Sequence, residues 1–180
     1  IGSVMVDALV RKGIGCTVYA VGRNEQRAQQ RFAAIWDDLS FRFLAADVNG
    51  SLPADLPAID YLVHAASNTH PVAYATDPIG TITTNTIGTA NLLEYAANCR
   101  ARRALFLSSV EVYGENRGDV ERFDESYCGY IDCNTLRAGY PESKRVGEAL
   151  CQAFIRQRGL DIVIPRLSRV YGPTLLASDT

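Results

Sequence analysis

The stretch ALFLSS, residues 104–109, decides how the chain is read. It is a short apolar run that closes in two hydroxyl side chains, Ser108 and Ser109, and it reads as a strand with a polar end. The same design recurs outward in both directions. CTVYAV, residues 16–21, is β-branched and aromatic and runs into Gly22 and Arg23. FRFLA, residues 41–45, has strand character and leads to Asp47 and Val48. AIDYLVHAAS gives a strand ending near Ala65, and DIVIPRL gives the last one, with Arg169 just beyond.

Helical stretches separate these runs. Residues 3–12 put Val6, Leu9 and Val10 on one face, with Ser3 as the expected cap and Gly13 as the stop. Asn24 is positioned to cap a second helix reaching about Trp36. A long helix is expected over residues 78–99, then a polar loop over 114–137. A further helix, with Pro141 tolerated in its first turn, runs to about Arg158 and stops at Gly159. This alternation predicts one α/β domain with a mostly parallel, doubly covered sheet. In such sheets ligands bind at the carboxyl ends of the strands. There stand Gly22 and Arg23, Asp47 and Val48, His64 to Ser67, Ser108 to Glu111, and Arg166 to Arg169.

Bulk composition narrows the function classes. The chain has 180 residues, 47% of them apolar and 21% charged, which is ordinary for a globular domain. A net charge of −2 offers no broad basic field for nucleic acid or an anionic membrane. The apolar runs are far shorter than a membrane span, and no secretory signal is visible. Five scattered cysteines without a C-x-x-C fit a reducing cytoplasm, and with only two histidines no metal site is expected.

GYPESKRVGE, residues 139–148, carries the chemistry. Tyr140 and Lys144 would sit one turn apart on one helix face. A free phenol has a pKa of about 10, too high for a base at neutral pH. A nearby ammonium favours the phenolate and lowers that value, and a nicotinamide cation would lower it further. With the Ser109 hydroxyl holding the reacting oxygen, the set suits removal of a hydroxyl proton while a hydride leaves the same carbon.

At these residues the sequence resembles the extended short-chain dehydrogenase/reductase family, in its nucleotide-sugar epimerase and dehydratase branch. Five segments match in the family's order: DYLVHAAS, NTIGTANLLEYA, LSSVEVYGE, YPESK and PRLSRVYGP. The resemblance implies a Rossmann-like doubly wound parallel sheet, incomplete at both ends. Residues 1–180 would form a partial NAD(P)-binding domain, with the substrate domain largely missing. Tyr140 would be the acid/base, Lys144 would tune it and hold the nicotinamide ribose, and Ser109 would bind the sugar's reacting oxygen. Gly2 would be the last glycine of the phosphate loop, with Ile1 beside it and the first strand before it. The implied cofactor set is completed by Arg23, Asp47, Val48, Ala65, Ala66, Ser67 and Asn85. Arg169, where the family usually has asparagine, would face the substrate's diphosphate. His64 is read as a packing residue and Arg166 as structural. The implied partners are a nucleotide sugar and a second copy of the chain, docked through the helices at 78–99 and 139–158.

Departures from the pattern leave alternatives. Gly22 and Arg23 replace the acid that would accept from the ribose hydroxyls, which favours NADP over NAD and keeps NAD open. Arg23 is equally readable as a solvated loop charge. Ser109, Val110 and Glu111 stand where dehydratases of the branch have Thr-Asp-Glu, so elimination by an acid pair is in doubt. Glu111 is either a base beside a keto group or the partner of an arginine. The expected activity is conversion of a nucleotide sugar through a 4-keto intermediate by epimerisation or dehydration, with decarboxylation and a non-enzymatic cofactor sensor as alternatives.

Overall fold

The computed structural model describes residues 1–53, 55–68 and 71–172. Pro173 of the PRLSRVYGP segment and the LLASDT tail lie outside them. The chain divides into two compact units, Ile1–Pro57 and Ala58–Thr180.

The first unit opens with α1, Gly2–Lys12. Its cap is Ile1, whose carbonyl accepts from Val4 and Met5, each at 3.0 Å. The helix thus starts one residue before the expected cap, and Ser3 lies inside it. Gly13 ends it in the left-handed region, φ 57°, where only glycine avoids a steric cost. β1, Val18–Gly22, pairs in parallel with β2, Phe41–Ala45. Between them α2, Glu25–Arg31, is capped by Asn24, whose Oδ1 accepts from Arg27 N at 2.8 Å. The helix expected to Trp36 breaks at Phe32 and continues only as a 3-10 turn, Ala33–Ile35. The break leaves Phe32 and Trp36 both packed on Phe41, with ring centroids 5.2 and 5.7 Å away. Val10, Ala20, Ala28 and Ile35 complete this core.

The second unit contains β3, Tyr61–His64, and β4, Arg103–Phe106. It also holds β5, Ser108–Ser109, β6, Ile162–Val163, and β7, Arg166–Leu167. The sheet orders are β3-β4-β6 and β5-β7, and every pairing of named strands is parallel. Two expected strands are therefore each broken once. At Leu107 the N–H still donates to His64 O at 3.2 Å, but the carbonyl turns to the Lys144 ammonium at 2.8 Å. Pro165 has no N–H to offer, and its carbonyl accepts from Ser108 N at 3.0 Å.

The helices of this unit are α3, Pro71–Thr76; α4, Pro78–Thr83; α5, Thr89–Asn98; and α6, Gly139–Arg158. The sequence did not announce α3. The single helix expected over 78–99 is interrupted by a π-helical turn, Thr84–Gly88. Asp77 caps α4 by accepting from Gly80 N at 2.9 Å. Leu93, Ala96, Ala104, Phe106, Cys151, Leu160 and Ile162 form the core between α5, α6 and the sheet. Burial, then the Glu148 charge, pushes the Cys151 thiol up to about 12, so it packs as an inert apolar group. Among the described residues no helix is long and apolar enough to cross a membrane, and no cluster suited to a metal ion occurs.

Candidate active site

Helix α6 presents a mixed stripe to the protein interior. Tyr140, Lys144, Gly147 and Cys151 are all buried on it. Lys144 is only 3% exposed, and Tyr140 7%. The Lys144 Nζ donates to Leu107 O and lies 4.8 Å from the Phe106 ring centroid and 5.9 Å from that of Tyr140. Burial pushes its pKa down to about 8, with Cys151 opposing. The structure therefore brings together the phenol and the amine expected from the sequence, at the start of one buried helix face.

Ser109 closes β5 and caps the next element. Its Oγ accepts from Glu111 N at 3.2 Å, which starts a 3-10 turn, Val110–Tyr113. Helix α6 fastens this strand end at three points: Lys144 takes Leu107 O, Glu148 accepts from Ser108 Oγ at 2.6 Å, and Arg145 Nε donates to Val112 O at 2.7 Å. Glu148 also receives two bonds from Arg166, at 3.0 and 2.8 Å. Burial alone would raise the Glu148 carboxyl, but the bonds from Arg166 and Ser108 hold it below the usual range. Arg166 is thus structural, as expected. Arg145 and Glu148 were missed. Their one sequence signal is that charged residues at 144 and 148 share a helix face with core positions 147 and 151.

Glu111 has the arginine neighbour foreseen as one alternative. Its Oε1 lies 3.6 Å from Arg137 Nη2, in the 3-10 turn Leu136–Ala138 that leads into α6. That contact is long and Arg137 is 68% exposed, so it holds Glu111 weakly.

Asn85 sits in the π turn, fully buried. Its Nδ2 donates to Ser143 Oγ at 3.0 Å, and Ser143 Oγ donates to Tyr140 O at 2.9 Å. Thr89 Oγ1 donates to Asn85 O at 2.7 Å and lies 2.9 Å from His64 Nε2. A hydroxyl has one hydrogen, so His64 must be the donor to Thr89, and its Nδ1 carries a lone pair. His64 is held neutral, its pKa pushed down to about 3 by burial and then by the Lys144 charge. It packs against Phe106 at 5.5 Å, which is the packing role expected of it.

Three buried polar atoms here have no hydrogen-bond partner among the described residues: Asn85 Oδ1, Ser67 Oγ and His64 Nδ1. Ser67 follows β3 with Ala65 and Ala66. A buried amide oxygen, a buried hydroxyl and a buried ammonium call for a ligand rich in hydroxyl and amide groups. A nicotinamide riboside fits that description.

In the first unit Ile1 and Gly2 stand at the start of α1, and Arg23 follows β1, exposed. Asp47 follows β2, and its Oδ1 accepts from Asn49 N at 2.9 Å, which caps a turn that contains Val48. Arg23 and Asp47 thus lie beyond the same, carboxyl, end of a parallel pair. A cleft of about 330 Å³ in this unit, lined by Glu25, Phe43, Pro53 and Leu56 among others, contains none of the expected residues. Arg169 is exposed beyond β7.

Known proteins match this chain over nearly its whole length. The model of the NAD dependent epimerase/dehydratase family matches residues 1–179. UDP-glucuronic acid decarboxylase 1 of Xenopus tropicalis is 33% identical over 180 residues, 99% of this chain and 41% of that protein. UDP-glucuronic acid decarboxylase 5 of Arabidopsis thaliana is 37% identical over 77% of this chain and 39% of its own length. The chain therefore spans about two fifths of these relatives. A UDP-galactose 4-epimerase structure superposes with a TM-score of 0.76 at 27% identity, covering 97% of this chain and 54% of that one. The Streptomyces venezuelae dTDP-glucose 4,6-dehydratase, with NAD and TYD bound, gives 0.75 at 26% identity, covering 94% and 51%.

Proposed function

Because the chain belongs to the NAD dependent epimerase/dehydratase family, with its α/β Rossmann-like fold, we propose that it carries the catalytic core of an enzyme that converts a nucleotide-linked sugar through a 4-keto intermediate. The observation that carries this reading is the buried Lys144 on the Tyr140 helix face, fastened to the strand end that bears Ser109. NAD, when bound, supplies the acceptor and later the donor of two electrons at the sugar's C4. Lys144, Asn85 and Ser67 would hold its nicotinamide end. Tyr140 is the base that takes the C4 hydroxyl proton, with the Lys144 ammonium beside its ring, while Ser109 hydrogen-bonds the same oxygen.

Of the possible outcomes, decarboxylation of a uronic acid is favoured. Glu111 is kept while Val110 stands where an acid pair would need its second member, and the curated relatives described above are UDP-glucuronic acid decarboxylases. With a ketone at C4, the bond from C5 to the carboxylate breaks and carbon dioxide leaves. Its electron pair is taken up by the C4 oxygen, where Tyr140 and Ser109 stabilise it. C5 then takes a proton from solvent, which Glu111, partly exposed and weakly held, relays to it.

NAD is preferred to NADP here because the family's description and the dehydratase structure both name NAD. Arg23 then serves as a loop charge. The protein is further read as a homodimer joined through α4, α5 and α6. The test of the reaction is incubation of the whole protein with NAD and UDP-glucuronic acid, following carbon dioxide and the pentose product. Tyr140→Phe is expected to lower turnover by about 10²- to 10⁴-fold while NAD binding persists. Full activity in that variant would sink the mechanism.

A further inference from the structure

Arg145 follows Lys144 directly, and its guanidinium spends its donors on backbone. Nε donates to Val112 O and Nη2 to Gly129 O, each at 2.7 Å, while Nη1 meets Glu142 Oε1 at 3.2 Å. Val112 lies inside the 3-10 turn that starts at Ser109 and contains Glu111. Gly129 lies at the base of the long loop, where its N–H donates to Tyr113 O at 2.9 Å beside the Glu115–Tyr130 bridge. A Cβ on Gly129 would stand 2.5 Å from Tyr113 O, so loop and turn touch backbone to backbone there. Arg145 ties both to the helix that carries Tyr140 and Lys144, and its fixed fork lets one side chain bridge two carbonyls.

We propose that Arg145 is a positioning residue, which sets the Ser109 hydroxyl and the Glu111 carboxylate against Tyr140 without touching substrate. Glu142 orients the fork. Lysine at 145 keeps the charge and reaches one carbonyl, not two. The role rests on the nucleotide-sugar reading above.

The test uses the whole protein and its steady-state kinetics with NAD and UDP-glucuronic acid. Arg145→Met should lower kcat between about tenfold and a hundredfold, the scale of a misplacement near 1 Å. KM should stay within about twofold, because no substrate contact is lost. Arg145→Lys should recover part of kcat, and it alone is read if the Met variant does not fold. In a Glu111→Gln background the further loss from Arg145→Met should be much smaller than in the parent. An active parent whose Arg145→Met and Arg145→Lys variants keep parental kcat overturns the role alone, as does a loss that is fully additive with Glu111→Gln. A parent that converts no nucleotide sugar overturns the functional reading and this role with it.

Discussion

Lys144 shows how a single residue can be costly to the fold and useful to the site. A buried ammonium with its pKa held near 8 is less stable in the folded chain than in water. Between about pH 8 and 10.5 the unfolded chain still binds a proton that the folded chain has released. Folding stability contributed at this site therefore rises with pH across that window, and below it the penalty is full and constant. Relative to Lys144→Met, the parent should gain on the order of 3 kcal/mol from pH 7 to pH 10.5. Urea midpoints at several pH values would show this, and a gap independent of pH would contradict it. Tyr140, Lys144 and Ser109 were legible because they sit in short motifs. Arg145 and Glu148 were not, because their partners other than Glu142 lie 16 to 40 residues away in sequence. No local pattern states which carbonyl or hydroxyl such a side chain will meet.

The elements themselves were legible from runs of β-branched residues and from helix stops. Asn24, Gly13 and Gly159 each end or begin a helix where expected. What escaped were the interruptions, and each has a tertiary cause. The strand through residues 104–109 breaks where Lys144 captures Leu107 O, and the helix over 78–99 takes a π turn where Asn85 is buried against Ser143. A tight seam runs between α6 and β4. A Cβ on Gly147 would overlap the Phe106 ring, which is 1% exposed and flanked by His64 and the Lys144 ammonium. Gly147→Ala gains about 1 kcal/mol in helix propensity. Overpacking costs about 1–3 kcal/mol, so the variant should be destabilised by up to about 2 kcal/mol. Thermal unfolding is the measurement, and a midpoint equal to or above the parent's would mean that α6 can step away from the sheet.

At the scale of the whole molecule, each unit has its own apolar core, yet the second leaves large apolar side chains in solvent. Ile79 is 75% exposed, and Ile82, Ile87, Val146 and Ile155 are also exposed. All five lie on the stretch from α4 to α5 or on α6, which pack on each other through Asn85 and Ser143 and through the Arg158–Glu94 pair. A lone exposed apolar residue needs no explanation, but five on two neighbouring helices do. Leu92, Leu93 and Ala96 are buried, while the isoleucines and Val146 stay in solvent. A second copy of the chain would cover them by self-complementary packing about a two-fold axis. Ile79→Glu with Val146→Glu should therefore convert a dimer to monomers in sedimentation equilibrium of the whole protein. The unfolding midpoint at low concentration should barely change, because both positions are exposed in the monomer. A parent that already sediments as a monomer, or a double variant that stays dimeric, would show that these faces are not the interface.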